Sequence, residues 1–346
     1  MIPVESDKVG IGLVGYGYWG PNLARNFIAQ PDCELIAICE RESQRALIAK
    51  NRYRTSIVTD RYEDLLNNPA IHAILIATPV SSHHELAKRA LLAGKDVLVE
   101  KPLTQTVPEA LELVRIAEES KRILAVDHTF LFTGAVQKIK DIVESGKLGR
   151  IMYIDSVRIN LGLFQHDVNV IYDLAPHDFS IINYLVGQNP ISVQAVGISH
   201  AGNDIENMAY LHVEYQGNLI AHCHVNWLAP VKIRRMLIGG TEQMIVYDDM
   251  EPSEKVKVYD KGIVIKESDA NSIYKVIVDY RTGDMVAPKL AHGEALHTEA
   301  RHFLSCVKNR TKPIADGVAG LRVVRMLQAA QFSLRNNGMQ VRIEEL

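Results

Sequence analysis

A lysine, a carboxylate–imidazole pair and a glycine turn are the residues of this chain whose types and spacing could do chemistry together. Lys101 stands in Glu100-Lys101-Pro102, directly after the apolar run 96–99. An ammonium at the end of a strand can stabilise negative charge developing on a substrate oxygen; a surface lysine in a turn before proline would look the same. Asp173 and His177, in Asn169-Val170-Ile171-Tyr172-Asp173-Leu174-Ala175-Pro176-His177-Asp178, are four residues apart. That spacing puts both on one face if the segment is helical. A carboxylate beside an imidazole can orient it and raise its basicity, as proton transfer requires. Read alone, the pair equally fits a helix-start acid with a surface histidine, and Pro176 suits a first helical turn but would kink an interior. Asn169 and Tyr172 share the segment and are candidate substrate contacts.

The glycine turn is Gly15-Tyr16-Gly17-Tyr18-Trp19-Gly20. It follows an apolar strand, residues 9–14, and opens a segment of helical period, residues 21–30. Such a turn leaves free N–H groups at the positive end of a helix, with glycines letting a pyrophosphate approach the backbone. A Gly-rich structural turn is the plainer alternative. Glu40 closes a second apolar strand twenty residues past Gly20, where an acid would bond the adenosine ribose and repel a 2′-phosphate. Arg41, directly after it, is what a 2′-phosphate would want. The balance favours NAD, with NADP possible. Tyr16, Tyr18 and Trp19 are candidate cofactor contacts along with the glycines, Glu40 and Arg41.

The elements that must position these residues follow from periodicity. Strands at 34–39, 55–59, 71–77, 96–99 and 122–126 alternate with helices at 42–51, 62–67 (capped by Asp60), 85–93 and 107–120. Alternation of this kind predicts a parallel, doubly wound sheet with ligands beyond the carboxyl ends of its strands. Thr78, Pro79, His83, Glu100, Lys101 and His128 all fall at that edge. After a helix at 134–144 the period changes to strands at 151–159, 191–200, 208–215, 219–227, 232–239, 244–247, 255–259 and 262–265. Gln216-Gly217-Asn218 and Gly239-Gly240 read as hairpin turns. One helix, about 177–186, interrupts them, and helices at 295–307 and 318–334 end the chain. The expectation is two domains, 1–128 with a parallel sheet and 129–346 of α+β type with a mostly antiparallel sheet, the final helices able to pack back on the first.

Bulk properties bound the function classes. A chain of 346 residues is long for one core. A net charge of −3 gives no electrostatic reason for nucleic acid or an anionic membrane as partner. No apolar run approaches the ~20 residues of a membrane span, and the first residues, with Glu5 and Asp7, hold no apolar signal core. Cys33, Cys39, Cys223 and Cys306 form no disulfide framework or metal-like pair, which suits a reducing cytoplasm. His222 with His224, and His297 with His302, suggest no metal site.

Taken together, the glycine turn, Thr78-Pro79 with His83, Glu100-Lys101-Pro102, and Asp173 with His177 in the pattern D-x-x-x-H resemble the GFO/IDH/MocA oxidoreductases. Glu299-x-x-x-Phe303 and the terminal helix resemble that family's ending, so the likeness spans nearly the whole chain. The resemblance implies a Rossmann domain joined to an α/β domain whose open sheet makes homodimers or homotetramers. It also implies NAD(P)-dependent chemistry at a sugar or polyol carbon, with Lys101 beside the nicotinamide and Asp173 and His177 as the catalytic pair. Gly-Tyr-Trp-Gly-Pro-Asn at 17–22 and Asp-Leu-Ala-Pro-His-Asp at 173–178 resemble the nucleotide-sugar branch, which acts at C3 of sugars such as UDP-N-acetylglucosamine. A free-polyol or hexose dehydrogenase is the alternative. A non-catalytic dinucleotide sensor is a third reading, against which the presence of Lys101 and His177 argues.

Overall fold

The computed structural model describes residues 8–162, 168–200, 205–260, 262–266, 277–281 and 283–345, so Glu5 and Asp7 lie outside the described residues. The chain opens with β1 (Val9–Val14), α1 (Gly20–Ile28), β2 (Cys33–Cys39), α2 (Ser43–Arg52), β3 (Ile57–Thr59) and α3 (Tyr62–Leu66). It continues through β4 (Ala73–Ile76), α4 (His83–Leu92), β5 (Asp96–Glu100), α5 (Val107–Glu119) and β6 (Leu124–Asp127). Then come α6 (Gly134–Glu144), β7 (Ile151–Leu161), α7 (Val170–Val186), β8 (Ser192–Ile198), β9 (Met208–Tyr215) and β10 (Leu219–Asn226). The remainder is β11 (Leu228–Gly240), β12 (Met244–Asp248), β13 (Val256–Tyr259), β14 (Gly262–Lys266), β15 (Ile277–Arg281), β16 (Met285–Val286), α8 (Ala295–Asn309), α9 (Gly317–Arg335) and β17 (Val341–Arg342).

These elements form two compact units, Met1–Thr133 with Gly293–Arg325, and Gly134–His292 with Met326–Leu346. The first is built on a six-stranded parallel sheet in the order β3-β2-β1-β4-β5-β6. Strands β1 and β4 are buried along their whole length, as parallel strands covered on both faces must be. The order reverses between β1 and β4, which is where such sheets leave a crevice for ligands. One face packs against α3, α4 and α5, with Leu321 and Val324 of α9 in the same core. The other packs against α1 and α8, where Phe27 meets Phe303 edge to face at 6.0 Å. Burying each such aliphatic or aromatic side chain contributes roughly 1.5–3 kcal/mol, so α8 is an integral wall of this unit. Helix α5 starts on the capping box of Thr106 and Glu109. Asp60 does not cap α3: Arg61 holds the N-cap position without a side-chain bond, and Thr59 donates instead to Asp64 at 2.6 Å.

The second unit is organised on a nine-stranded sheet, β16-β13-β12-β11-β7-β10-β9-β8-β17. Only β7 and β10 run parallel; the other neighbours are antiparallel. Buried and exposed residues alternate along β9 and β10, so one face is packed, with α7 against it. The β9–β10 hairpin turns at Gly217 and Asn218, both at positive φ. Gly239 and Gly240 are not a turn: they end β11, and the chain reverses over residues 241–243. Helix α7 begins at Val170, two turns before the position expected from Pro176, because the Asn169 side chain caps it by accepting from Tyr172 N at 3.2 Å. Pro176 is carried inside the helix. It removes the bond Tyr172 O would have received, and burial of Ile171, Leu174, Ala175 and Phe179 offsets that loss.

Candidate active site

In the first unit the glycines of the turn divide by what surrounds them. Gly15 has φ +89°, and a Cβ there would lie 2.6 Å from Ala77 O. A Cβ on Gly20 would sit 2.3 Å from Gly15 O. Both are demanded by the fold of the turn itself. At Gly17 the nearest atom to such a Cβ is Arg45 Nη1 at 3.5 Å, so this backbone has open space before it. Helix α1 follows with no side-chain cap and no acid in its first turn. Pro21 has no N–H and the Asn22 N–H bonds back to Trp19 O at 2.9 Å, so what this end offers a ligand anion is the positive end of the helix beside the glycine turn. The residues present therefore fit the pyrophosphate of a dinucleotide.

Glu40, at the end of β2, accepts from Tyr16 N at 2.6 Å and from Glu42 N at 2.8 Å. These bonds hold the carboxylate beside the turn and leave lone pairs for ribose hydroxyls. Tyr16 takes part through its backbone only, since its ring is buried edge-on against Tyr53. Tyr18 is exposed and stacks on Trp19. Arg41 is exposed.

The ends of β4, β5 and β6 gather the next group. Thr78 Oγ1 accepts from Ser82 at 2.7 Å, and Pro79 is exposed. His83, expected as a cofactor contact, is buried, with its ring nitrogens 2.9 Å from Pro102 O and 2.8 Å from Thr78 O. It ties the loop after β4 to the loop after β5 and has no nitrogen left for a ligand. Burial pushes its pKa down despite those carbonyls. Half-buried Lys101 donates through its backbone N to Glu100 Oε2 at 2.8 Å. Glu100 lies opposite Asp127 in the β5–β6 register, and burial followed by the Asp127 charge drives its pKa well up. Asp127 Oδ2 accepts the Trp19 indole N–H at 2.7 Å, and Oδ1 accepts the Thr129 hydroxyl. His128, also expected at the cofactor, is an interior residue whose pKa burial pushes down to about 4.

In the second unit, Asn169 is spent on structure: besides capping α7 it donates to Glu206 at 2.9 Å and Gln331 at 2.8 Å. Its amide donors are therefore committed within the protein. Tyr172 is partly buried, which pushes its phenol up to about 12. Asp173 and His177 stand one turn apart on α7, both partly exposed. Asp173 Oδ2 accepts the indole N–H of Trp227 at 3.0 Å. Trp227 is fully buried where β10 hands over to β11, and a Cβ on Gly162 would meet its ring at 2.5 Å. The neighbouring Asp178 forms a buried pair with Arg158, the closest contact 3.0 Å. Sequence reasoning missed Trp227, Asp127 and Thr129 and placed Glu299 only as part of a terminal motif, because no local spacing marks them.

Among the described residues no group of three or more His, Cys, Asp or Glu is arranged to hold a metal ion. His222 and His224 stack on Tyr210, while His297 meets Gln30 and His302 accepts from Ile314 N. All four cysteines are buried and free.

Residues 9–128 match the oxidoreductase family with an NAD-binding Rossmann fold, and residues 136–246 match the GFO/IDH/MocA C-terminal domain. UDP-N-acetylglucosamine 3-dehydrogenase of Acidithiobacillus ferrooxidans is 28% identical, over 90% of this chain and 93% of its own length. The NAD-dependent scyllo-inositol 2-dehydrogenase of Bacillus subtilis is 26% identical, over 99% of this chain and 96% of its own. In fold, the chain is similar to levoglucosan dehydrogenase, solved in complex with NADH and levoglucosan. The TM-score is 0.83 at 21% identity, covering 97% of this chain and 99% of that one. With its glycine turn, its six-stranded parallel sheet and both domain matches, the chain belongs to the GFO/IDH/MocA family of oxidoreductases and carries that family's NAD-binding Rossmann domain.

Proposed function

We propose that this protein moves a hydride between NAD and a secondary alcohol carbon of a sugar, that the sugar is nucleotide-linked, and that the carbon is C3. The observation that carries the reading is the joint placement of the open Gly17 backbone and Lys101 at the carboxyl edge of one parallel sheet. The relative acting at C3 of UDP-N-acetylglucosamine, matched over 90% of this chain, supports the finer part. Bound NAD supplies the hydride acceptor. In the oxidative direction Lys101 stabilises the alkoxide that develops on the substrate oxygen, worth several kcal/mol in a dry site. His177 accepts the hydroxyl proton, a transfer worth roughly 10²–10⁴-fold, and Asp173 favours its protonated form. The Trp227 indole fixes one oxygen of Asp173 and so limits the rotation of that carboxylate. Glu40, held by two backbone N–H groups, favours NAD over NADP by repelling a 2′-phosphate.

A free-polyol dehydrogenase is the second reading, favoured by the inositol dehydrogenase that spans nearly the whole chain. The two separate in one experiment: purified protein and NAD with UDP-N-acetylglucosamine, its uronic acid, scyllo- and myo-inositol and free hexoses, following the absorbance of reduced nicotinamide. Turnover of the UDP-sugars is expected. Turnover of the polyols with none on UDP-sugars overturns the nucleotide-sugar assignment. Among the described residues no helix is long and apolar enough to cross a membrane.

A further inference from the structure

Glu299 sits on α8, 2% exposed, among the apolar residues with which that helix covers the sheet. Its carboxyl faces Asp127 and Thr129. Neither of its oxygens has a hydrogen-bond partner among the described residues, because what it meets at Asp127 is another pair of acceptors. Asp127 is already engaged by two donors, the Trp19 indole and the Thr129 hydroxyl, which is the environment of an anion. Two ionised carboxylates facing each other in a dry interior repel strongly, so one of such a pair keeps a proton.

Among the described residues Glu299 has no ion-pair partner. From β5 and β6 it meets Glu100 and Asp127, with Lys101 beside Glu100 and the depressed, uncharged His128 adjacent. From α1, Arg25 is committed to Glu294 at 2.7 Å. On α8 itself His297 is held by Gln30, and His302 lies against Phe132. Burial first, then the Asp127 charge, drives the Glu299 pKa well up.

We propose that Glu299 is a positioning residue for the glycine turn: as a neutral carboxylic acid it donates to Asp127, which stays anionic and holds the Trp19 indole. The proton closes a chain from α8 through Asp127 to the residue that precedes Gly20. The last step to function rests on reading that turn as the dinucleotide site, whereas the protonation of Glu299 does not.

Infrared spectroscopy of the full-length protein at neutral pH tests the protonation. The wild type minus E299Q difference should contain the carbonyl stretch of one protonated carboxylic acid, with E100Q recorded to separate Glu100. No such band, or one lost in D127N but kept in E299Q, overturns the proposal whether or not NAD binds. NAD titration tests the positioning role. E299Q, whose amide can still donate to Asp127, should bind NAD within about threefold of wild type, while E299L should bind roughly tenfold more weakly. Wild-type affinity should fall as rising pH ionises Glu299, and E299Q should remove that fall. Wild-type affinity in E299L, or an unchanged pH profile in E299Q, overturns the role. Failure of every variant and the wild type to bind NAD would instead count against the dinucleotide reading, leaving the infrared result to decide the protonation.

Discussion

Lys101 owes its position to two neighbours: its own N–H is held by Glu100, and Pro102 is gripped through its carbonyl by His83. Replacing Lys101 with alanine should therefore leave the loop in place and lower the single-turnover hydride rate by about 10²-fold or more. A rate within threefold of wild type would remove Lys101 from the chemistry. Two interior groups near it titrate in opposite senses. His128 has a folded pKa of about 4, below its ordinary 6.5, so the folded state binds its proton less tightly than the unfolded chain. The stability this difference contributes is present above pH 6.5 and is lost as pH falls toward 4. Glu299 has a raised folded pKa, so its contribution is complete below about pH 4.5 and is lost as pH rises through the folded value. Chemical denaturation across pH should show the acid-side loss shrink in H128N and the alkaline-side loss shrink in E299Q. Unchanged slopes would place these titrations elsewhere.

At the scale of the element, the glycine turn separates structure from ligand binding. Gly15→Ala forces a side chain to positive φ and into Ala77 O, so it should destabilise by about 1–3 kcal/mol as well as abolish NAD binding. Gly17→Ala meets open space, so its melting temperature should stay within a degree or two of wild type. NAD affinity should nevertheless drop, because the added methyl occupies the room in front of the backbone. Thermal melts with NAD titrations check both, and equal destabilisation by the two variants would refute the division. Helix α7 follows the same logic. Asn169, which looks like a ligand residue by type and place, is consumed in capping, and this frees Asp173 and His177 to share a face one turn apart.

For the whole molecule, the chain crosses between its two compact units more than once. It leaves the first unit after Thr133, returns to it at Gly293, and leaves again within α9. A fragment ending at Thr133 would lack Leu296, Ala300, Phe303, Leu304 and Val307, which share a core with Leu23, Ala24 and Phe27. Losing the four large side chains among these, at roughly 1.5–3 kcal/mol each, is comparable to the net stability of an ordinary domain. That fragment should bind hydrophobic dyes and unfold without cooperativity. Fusing Gly293–Arg325 to it through a flexible linker should restore a cooperative transition. Cooperative unfolding of the short fragment alone would refute this account.

Much of this was legible in one dimension because it is local. The alternation of apolar runs with helical periods spelled out the parallel sheet. The spacing of Gly15, Gly17 and Gly20 marked the turn, and strand ends carried Thr78, Glu100 and Lys101 to one edge. What only the tertiary structure decided are contacts between residues far apart in the chain, which no spacing encodes. Examples are the Trp227 indole on Asp173, the Trp19 indole on Asp127, and Glu299 brought to Asp127 by α8. The same holds where packing outweighs a local rule, as at Pro176 inside α7, and where burial withdraws a residue such as His83 or His128 from solvent. Side-chain type states what a group can do, but its protonation and its free lone pairs depend on what the fold packs against it.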